Sequence, residues 1–421
     1  MSHPSINLHT TIIALSHALD LVGVDEVHHG KRVAYMAHRL AQQLAWPERE
    51  CETLLYAGML HDCGVSKIDE HRQLTTTLEW VGDQAHCERG AAYLEACPLL
   101  AHFAPEIRYH HTRWQYLADL PISDHTRQRA NLLYLADRID VLQTPFLNSE
   151  QILLQSTAIV ERIRSLSGVL FAPEAVEAFC ALAAIEAFWL AMEPDYLDED
   201  LLAFGLAQPP FAINYADLKQ LALLFSRVVD AKSPFTEEHS QLVALIAREL
   251  AEDFGLRGSH LDLVEIAGLL HDIGKLRVAE EIIEKPGPLT QQERASIRRH
   301  SFDTYRILKR VFSDSKIPVW AGYHHETLEG LGYPFKSTLQ ELDLETRIIS
   351  VADIFQALAQ YRPYRGRLPV EVILQNLWQR VEAGQIDRHV VAKLAARADD
   401  YYAIATQTPP ADLITDDSGE Q

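Results

Sequence analysis

The chain has 421 residues, 48% of them hydrophobic, with 59 Asp and Glu against 38 Lys and Arg, a formal charge of −21. That length and apolar content are enough for two cores of domain size. The acidity excludes a general binder of DNA, RNA or anionic membrane, so a phosphorylated ligand must be held locally, by metals and a few placed cations. Five cysteines, at 51, 63, 87, 97 and 180, include no CxxC pair, which suits a reducing cytoplasm. The first residues have no basic region before a short apolar stretch, and a signal peptide is not expected. The run from Phe179 to Met192 contains Glu186 and falls short of a membrane span.

In chain order, the segments VAYMAHRLAQQLA (33–45), LLYAGMLHD (54–62), NLLYLADRIDVL (131–142), LVALIARELAEDFG (242–255), LVEIAGLLHD (263–272) and IISVADIFQALA (348–359) repeat apolar residues at helical spacing. Sustained strand alternation with hairpin signals is missing, so the predicted fold is all-α. The stretch Glu193 to Ile213 is rich in Asp, Glu and Pro and reads as a boundary, with helix resuming over Asn214 to Asp230. The expected organisation is an N-terminal domain over 1–205, a C-terminal domain over 206–406 and a disordered polar tail over 407–421.

The same metal-type residues occur twice, in the same order. His29, His61, Asp62, His86, His110, His111 and Asp137 are followed by His239, His271, Asp272, His300, His324, His325 and Asp353. The offset is 210 for the first three pairs, 214 for the next three and 216 for the last. Local context repeats as well: AGMLHDCG with AGLLHDIG, YHHTRW with YHHETL, and LADRID with VADIFQ. This is an internal duplication, and each copy is a candidate metal-dependent hydrolase core.

The chemistry is most explicit in the second copy. Adjacent residues on a helix point about 100° apart, so His271 and Asp272 can reach two metals at once, the carboxylate bridging while imidazoles cap each ion. Helices crossing a common centre would bring the remaining ligand types inward, and a metal pair would activate water and neutralise a phosphoryl group. An isolated His-Asp pair is a weak signal, and a single histidine is more often a surface or core residue. The ordered and doubled set outweighs that.

The motifs HDIGK (271–275), KPGPLTQQERASIRRH (285–300), HHETLEGLGYP (324–334), SPFTEEHS (233–240) and RIISVADIFQALAQYRPYR (347–365) closely resemble the HD-GYP domain. The resemblance runs from about Asn214 to Asp400. It implies an HD phosphohydrolase that opens cyclic di-GMP, or in some relatives the mixed cyclic GMP–AMP, to a linear dinucleotide. Carried over by position, it implies that His239, His271, Asp272, His300, His324, His325 and Asp353 ligate two divalent metals, with Asp272 as the catalytic bridge. Iron or manganese suits these donors, with zinc or nickel left open. Lys275 would take part in catalysis, Lys275 and Arg362 would hold substrate phosphate, and Gly332, Tyr333 and Pro334 would face the nucleotide. Two positions depart from the family pattern. Glu329 replaces the usual Asp before the signature, and Phe235 stands where three-metal members carry Glu, which implies two metals here.

The first copy resembles the HD superfamily from about His28 to Leu142, without the GYP signature. Val65 stands at the place of Lys275, with Lys67 two residues on, and Phe146 stands at the place of Arg362. Thr112-Arg113-Trp114-Gln115-Tyr116 follows the double histidine. Two readings stay open: a decayed regulatory or dimerisation domain, and a second metallophosphatase, binding further metal ions through His29, His61, Asp62, His86, His110, His111 and Asp137. The latter's attractive substrate is the 5′-phosphate of the linear dinucleotide. Asp25, four residues before His29, reads as a helix cap or an added ligand.

The sequence therefore predicts a cytoplasmic two-domain phosphodiesterase for a cyclic dinucleotide, with no nucleic-acid or membrane partner. A homodimer or a signalling-protein partner is left open. The rivals are a nucleotide phosphohydrolase of another HD subclass and a catalytically silent scaffold that binds cyclic dinucleotides.

Overall fold

Capping side chains mark where several helices begin. Thr290 and Glu293 form a reciprocal box at the start of the helix Gln291–Val311: the Thr290 hydroxyl accepts from the Glu293 N–H at 3.2 Å, and the Glu293 carboxylate accepts from the Thr290 N–H at 2.7 Å. Ser123 and Asn214 cap the helices Asp124–Gln143 and Tyr215–Asp230 in the simpler way, each accepting one backbone N–H. The computed structural model describes residues 7–22, 28–65, 67–80, 82, 84–147, 149, 151–207, 213–232, 238–361 and 366–407. Among these residues the fold is all-α, with isolated bridges at Ser167–Phe171 and Glu329–Thr338.

The chain divides into two units, Asn7–Ala212 and Ile213–Gln421. In the first, the helices are α1 (Leu8–Asp20), α2 (His29–Gln43), α3 (Glu48–Leu60), α4 (Ile68–Thr76), α5 (Gln84–Glu95), α6 (Ala104–Tyr109), α7 (Trp114–Leu117), α8 (Asp124–Gln143), α9 (Gln151–Arg164), α10 (Pro173–Ala183), α11 (Glu186–Leu190) and α12 (Pro194–Ala207). Its centre is α2 packed on α3 and α8, with α5 and α6 closing one side. Much of the stretch read as a boundary is the helix α12, because Leu197 and Leu201, one turn apart, are buried.

In the second unit the helices are α13 (Tyr215–Asp230), α14 (His239–Asp253), α15 (Ser259–Leu270), α16 (Glu280–Ile283), α17 (Gln291–Val311), α18 (Ile317–Gly322), α19 (Leu344–Ala359), α20 (Val370–Glu382), α21 (Arg388–Ala396) and α22 (Ala398–Thr406). Here α14 packs on α15 and α19, and α17 on α18. The duplicated residues thus ride on equivalent helices: α2 and α14, α3 and α15, α5 and α17, α8 and α19.

Two devices recur in both units and aim the ligand-type side chains. A buried aspartate at the end of one helix caps the next. Asp20 accepts the N–H groups of His28 and Gly30, both at 3.0 Å, and Asp230 accepts the Ser240 N–H at 3.0 Å and its hydroxyl at 2.8 Å. His29 and His239 are thereby held at the first turn of their helices. Burial pushes both carboxyls up, that of Asp230 to about 7.

The second device is glycine. A Cβ on Gly58 or Gly268 would come within 2.5 or 2.8 Å of the Cα of Ala34 or Ala244, so α3 and α15 cross their partners at close range. A Cβ on Gly64 or Gly274 would lie 2.0 or 2.1 Å from the carbonyl oxygen of His86 or His300. The turn carrying each His-Asp pair therefore sits directly against the helix that carries the next histidine. Gly274→Ala should force α17 away from this turn, costing about 1–3 kcal/mol of stability. Metal analysis of the purified variant should show a depleted C-terminal site while far-UV circular dichroism stays helical; full metal content would refute the role.

Candidate metal centres

In the C-terminal unit the seven expected ligands converge. Asp272 places Oδ2 at 3.5 Å from Nε2 of His239 and 3.3 Å from Nε2 of His271. Its Oδ1 lies 3.4 Å from Nε2 of His300 and 3.8 Å from that of His324. Asp353 Oδ1 closes the first half at 3.3 Å from His239 and 3.8 Å from His271. Donor atoms of His239, His271 and Asp353, and separately of His300, His324 and His325, lie within 4.8 Å of one another. One carboxylate thus stands between two half-sites.

The imidazoles are oriented from behind. Nδ1–H of His271, His300 and His324 donates to the carbonyl three residues earlier, at Gly268, Ile297 and Ala321, over 2.7, 2.5 and 2.6 Å. His239 Nδ1 donates to Oε1 of Gln356 at 2.5 Å. Each bond fixes the tautomer with the Nε2 lone pair facing inward.

The electrostatics fit a cation. Burial favours neutral rings and pushes His300 down to about 3 and His325 to about 4, with His324 also well below the usual range. At His239 burial opposes charge too, but the Asp272 and Asp353 carboxylates outweigh it and raise the group to about 10. Both carboxyls are held well below the usual range against their own burial, Asp272 chiefly by attraction from His271 and the Lys275 ammonium and Asp353 by interaction with His239 and His271. Nε2 of His239 and of His271 and Oδ1 of Asp272 are buried with no hydrogen-bond partner. Buried, unpartnered donors around two carboxylates are a set that a divalent metal satisfies.

The N-terminal set repeats the separations of His29, His61 and His86 from the carboxylates within a few tenths of an ångström. His29 Nε2 lies 3.6 Å from Asp62 and 3.5 Å from Asp137, His61 lies 3.4 Å from Asp62, and His86 lies 3.4 Å from its other oxygen. His86 and His110 approach to 3.3 Å, and His111 lies 3.3 Å from Asp137 Oδ2. His61 and His110 again donate to the carbonyls of Gly58 and Ile107, at 2.8 and 2.6 Å.

Comparison with known proteins finds the same duplication at the level of domains. Family profiles described as "HD domain" match residues 224–390 and 27–142. The 3′3′-cGAMP-specific phosphodiesterase 1 of Vibrio cholerae is 38% identical over 412 residues, covering 96% of this chain and 95% of that protein. Phosphodiesterase 3 of the same organism is 28% identical over 410 residues, 86% of this chain and 88% of its own. The cyclic di-GMP phosphodiesterase response regulator RpfG of Xanthomonas campestris is 34% identical over 149 residues, 35% of this chain and 38% of its own. A crystal structure of the V. cholerae cyclic GMP-AMP specific phosphodiesterase V-cGAP3 superposes with a TM-score of 0.65 at 26% identity, over 94% of this chain and 98% of that one. The chain belongs to the HD-GYP phosphodiesterase family. It is an enzyme of that family, with an HD domain lacking the GYP signature ahead of the HD-GYP domain.

Within the HD-GYP domain, the signature loop packs on the ligand set. A Cβ on Gly332 would lie 2.5 Å from the His325 carbonyl oxygen and 2.4 Å from Cα of Glu326, so only glycine fits there. The Tyr333 ring rests on that of His325, centroids 4.9 Å apart, with the Arg298 guanidinium 4.8 Å from the tyrosine centroid on the outside. Glu326 holds the loop by accepting the N–H groups of Phe335, Lys336 and Ser337 at 2.6, 3.1 and 3.1 Å. Lys275 is ion-paired with Asp272 and 28% exposed. Arg362, Phe235 and Asp25 lie outside the described residues.

Several neighbours were not singled out in the sequence. His29 donates from Nδ1 to Asp140 at 2.7 Å, and Asp140 accepts from Arg32 at 2.7 and 2.9 Å. Gln356 holds the equivalent place behind His239. Both sit three residues after the last aspartate of their set, on its helical face, a spacing that could have found them. Arg138 binds Asp137 at 2.7 Å where the HD-GYP domain has Ile354. Cys87 Sγ lies 3.7 Å from His86 Nε2, as Ser301 Oγ lies 3.2 Å from His300 Nε2. At the place of Lys275 the HD domain has buried Val65, which borders a small cavity with His29, His61, Asp62 and His71; Lys67 is exposed. Asp140→Asn should weaken N-terminal metal binding by about 10–100-fold and leave the HD-GYP domain loaded, as read by metal analysis after graded chelation. Equal retention at both sites would contradict this.

Proposed function

We propose that the HD-GYP domain hydrolyses 3′,3′-cyclic GMP–AMP to the linear dinucleotide, and that the HD domain then removes the product's 5′-phosphate. The observation that carries the first part is the Asp272-centred cluster under the GYP loop, in a chain matched end to end by a 3′3′-cGAMP-specific phosphodiesterase. The two relatives that span most of this chain carry that substrate in their names, whereas RpfG spans about a third of it. The second part is supported by the N-terminal cluster, whose carboxylate–histidine separations match the C-terminal ones without a GYP loop.

We assign two divalent ions, iron or manganese, to the C-terminal set and further ions to the N-terminal set. When bound, such a pair supplies two positive charges and an acidified water at the phosphodiester. Asp272 presents one oxygen to each half-site and so fixes their spacing. Lys275, ion-paired with Asp272, would bind a phosphate oxygen beside developing negative charge, and the family resemblance gives Arg362 the same role. Tyr333, braced by Arg298, covers one face of His325 and limits access of bulk water. Gly332 and Pro334 hold that ring in place and set the wall that the nucleotide meets.

We take the two halves expected as 1–205 and 206–406 to be the functional domains, with the break moved to Ala212–Ile213 because α12 continues through Ala207. A cytoplasmic location is supported by five free thiols, and among the described residues no helix is long and apolar enough to cross a membrane. The protein should be purified anaerobically under reducing conditions, loaded with manganese or ferrous iron and given each cyclic dinucleotide. His271→Ala should lower cyclic-dinucleotide cleavage on the order of a thousandfold or more. His61→Ala should leave the linear dinucleotide accumulating with its 5′-phosphate. Metal-loaded protein that turns over no cyclic dinucleotide would exclude the phosphodiesterase reading.

A further inference from the structure

Beside the N-terminal cluster lies a cavity of about 470 Å³, a size typical of small-molecule sites, roughly 300–1,000 Å³. It touches the cluster through His111, a ligand-type residue, and its walls include Trp80, Tyr109, Tyr116 and Tyr134. Arg113 and Glu79, ion-paired at 2.7 Å and each about two-fifths exposed (42% and 40%), stand at its mouth. Four aromatic rings with a guanidinium and a carboxylate at the rim suit a planar, hydrogen-bonding heterocycle.

The cavity is built into the metal site. Arg138 is buried and donates to the carbonyls of Leu74, Thr77 and Leu78 at 3.1, 2.8 and 3.2 Å, as well as to Asp137 at 2.7 Å. One guanidinium therefore ties a ligand-type aspartate to the segment that leads into Glu79 and Trp80. Tyr134, one turn before Asp137 on α8, lays its ring 5.2 Å from that of His111. In the HD-GYP domain the matching histidine, His325, has Tyr333 of the signature loop on its ring. The HD domain has no such loop after its double histidine, and the cavity opens beside that histidine.

We propose that this cavity is the nucleoside subsite of the HD domain: it stacks the base of a nucleoside 5′-phosphate while the phosphate lies on the His111 side. The inference rests on the nucleotidase reading above for its substrate class, and it adds the residues that select a nucleotide over a simple sugar phosphate. Trp80 and Tyr116 are the stacking residues. Arg113, Glu79 and Gln84 offer donors and acceptors to the base edge.

The test is calorimetric binding of guanosine and adenosine 5′-thiophosphates, which resist hydrolysis, to the metal-loaded full chain, with ribose 5-phosphate alongside. Trp80→Ala and Tyr116→Ala should each weaken thiophosphate binding tenfold or more and leave ribose 5-phosphate binding unchanged. Trp80→Phe should restore most of the affinity. Tyr116 is 54% exposed, so its replacement leaves the core intact and keeps the test valid if Trp80→Ala unfolds. Affinity within twofold of wild type in the Tyr116 and Trp80 variants would overturn the inference, as would equal wild-type affinity for ribose 5-phosphate. Phosphate release from the linear dinucleotide separates the two claims. Aromatic-dependent binding without release upholds the subsite and sinks the nucleotidase. Release that neither alanine variant alters sinks the subsite and leaves the nucleotidase standing.

Discussion

Each unit is organised around a pair of carboxylates that the fold buries and cannot leave uncompensated. Asp272, Asp353 and Asp137 are buried among histidines, and Asp62 sits among them with its side chain 13% exposed. An isolated buried carboxylate is costly by several kcal/mol or more, and neutral imidazoles alone do not offset that. Divalent cations do, and the imidazoles of each set are shared between two half-sites on either side of one carboxylate. The packing follows from this requirement. The crossing helices, the capping aspartates Asp20 and Asp230 and the close-contact glycines all serve to hold donors from distant segments within one coordination radius.

Two copies of one cluster in a single chain separate what the cluster needs from what each reaction needs. The ligand-type residues are the same in both units, and so are the carbonyls that orient His61 and His271 and those that orient His110 and His324. What surrounds them differs. The C-terminal set has Lys275 beside its bridge, Gln356 behind His239 and Tyr333 on His325. The N-terminal set has Val65, the Asp140–Arg32 pair and Tyr134 in the corresponding places, with Arg138 on Asp137 and an aromatic cavity beside His111. Asp140 gives His29 a charged partner where Gln356 gives His239 a neutral one, and Arg138 draws on the charge of Asp137. The two centres should therefore differ in metal affinity and in the phosphate ester they accept, although the separations of their first three histidines from the carboxylates agree within a few tenths of an ångström.

The helical class, the duplication and both ligand-type sets were legible in the residues themselves. Helical periodicity is a local property, and a His-Asp pair repeated at a constant offset survives without any three-dimensional information. The Gly-Tyr-Pro signature was equally plain, yet its packing was not: a string of letters does not show that Gly332 lies against the backbone of His325 and Glu326. The stretch Glu193–Ile213, read as a boundary, is helix over Pro194–Ala207, since acidic residues at a helix start look like those of a loop until Leu197 and Leu201 find a core to enter.

What the sequence by itself determined is the chemistry available: two sets of imidazoles and carboxylates, in one order, on helices, with a lysine beside one pair and a valine beside the other. What only the tertiary structure decided is which groups stand behind and beside those ligands. Asp140 and Gln356 share a helical face with the last aspartate of their set, but the histidines they support, the carbonyls that Arg138 reaches and the walls of the N-terminal cavity come from segments tens of residues away, and no local pattern encodes that meeting. Their positions follow from helix crossings set by side-chain volume and by two glycine contacts, which are properties of the packed molecule.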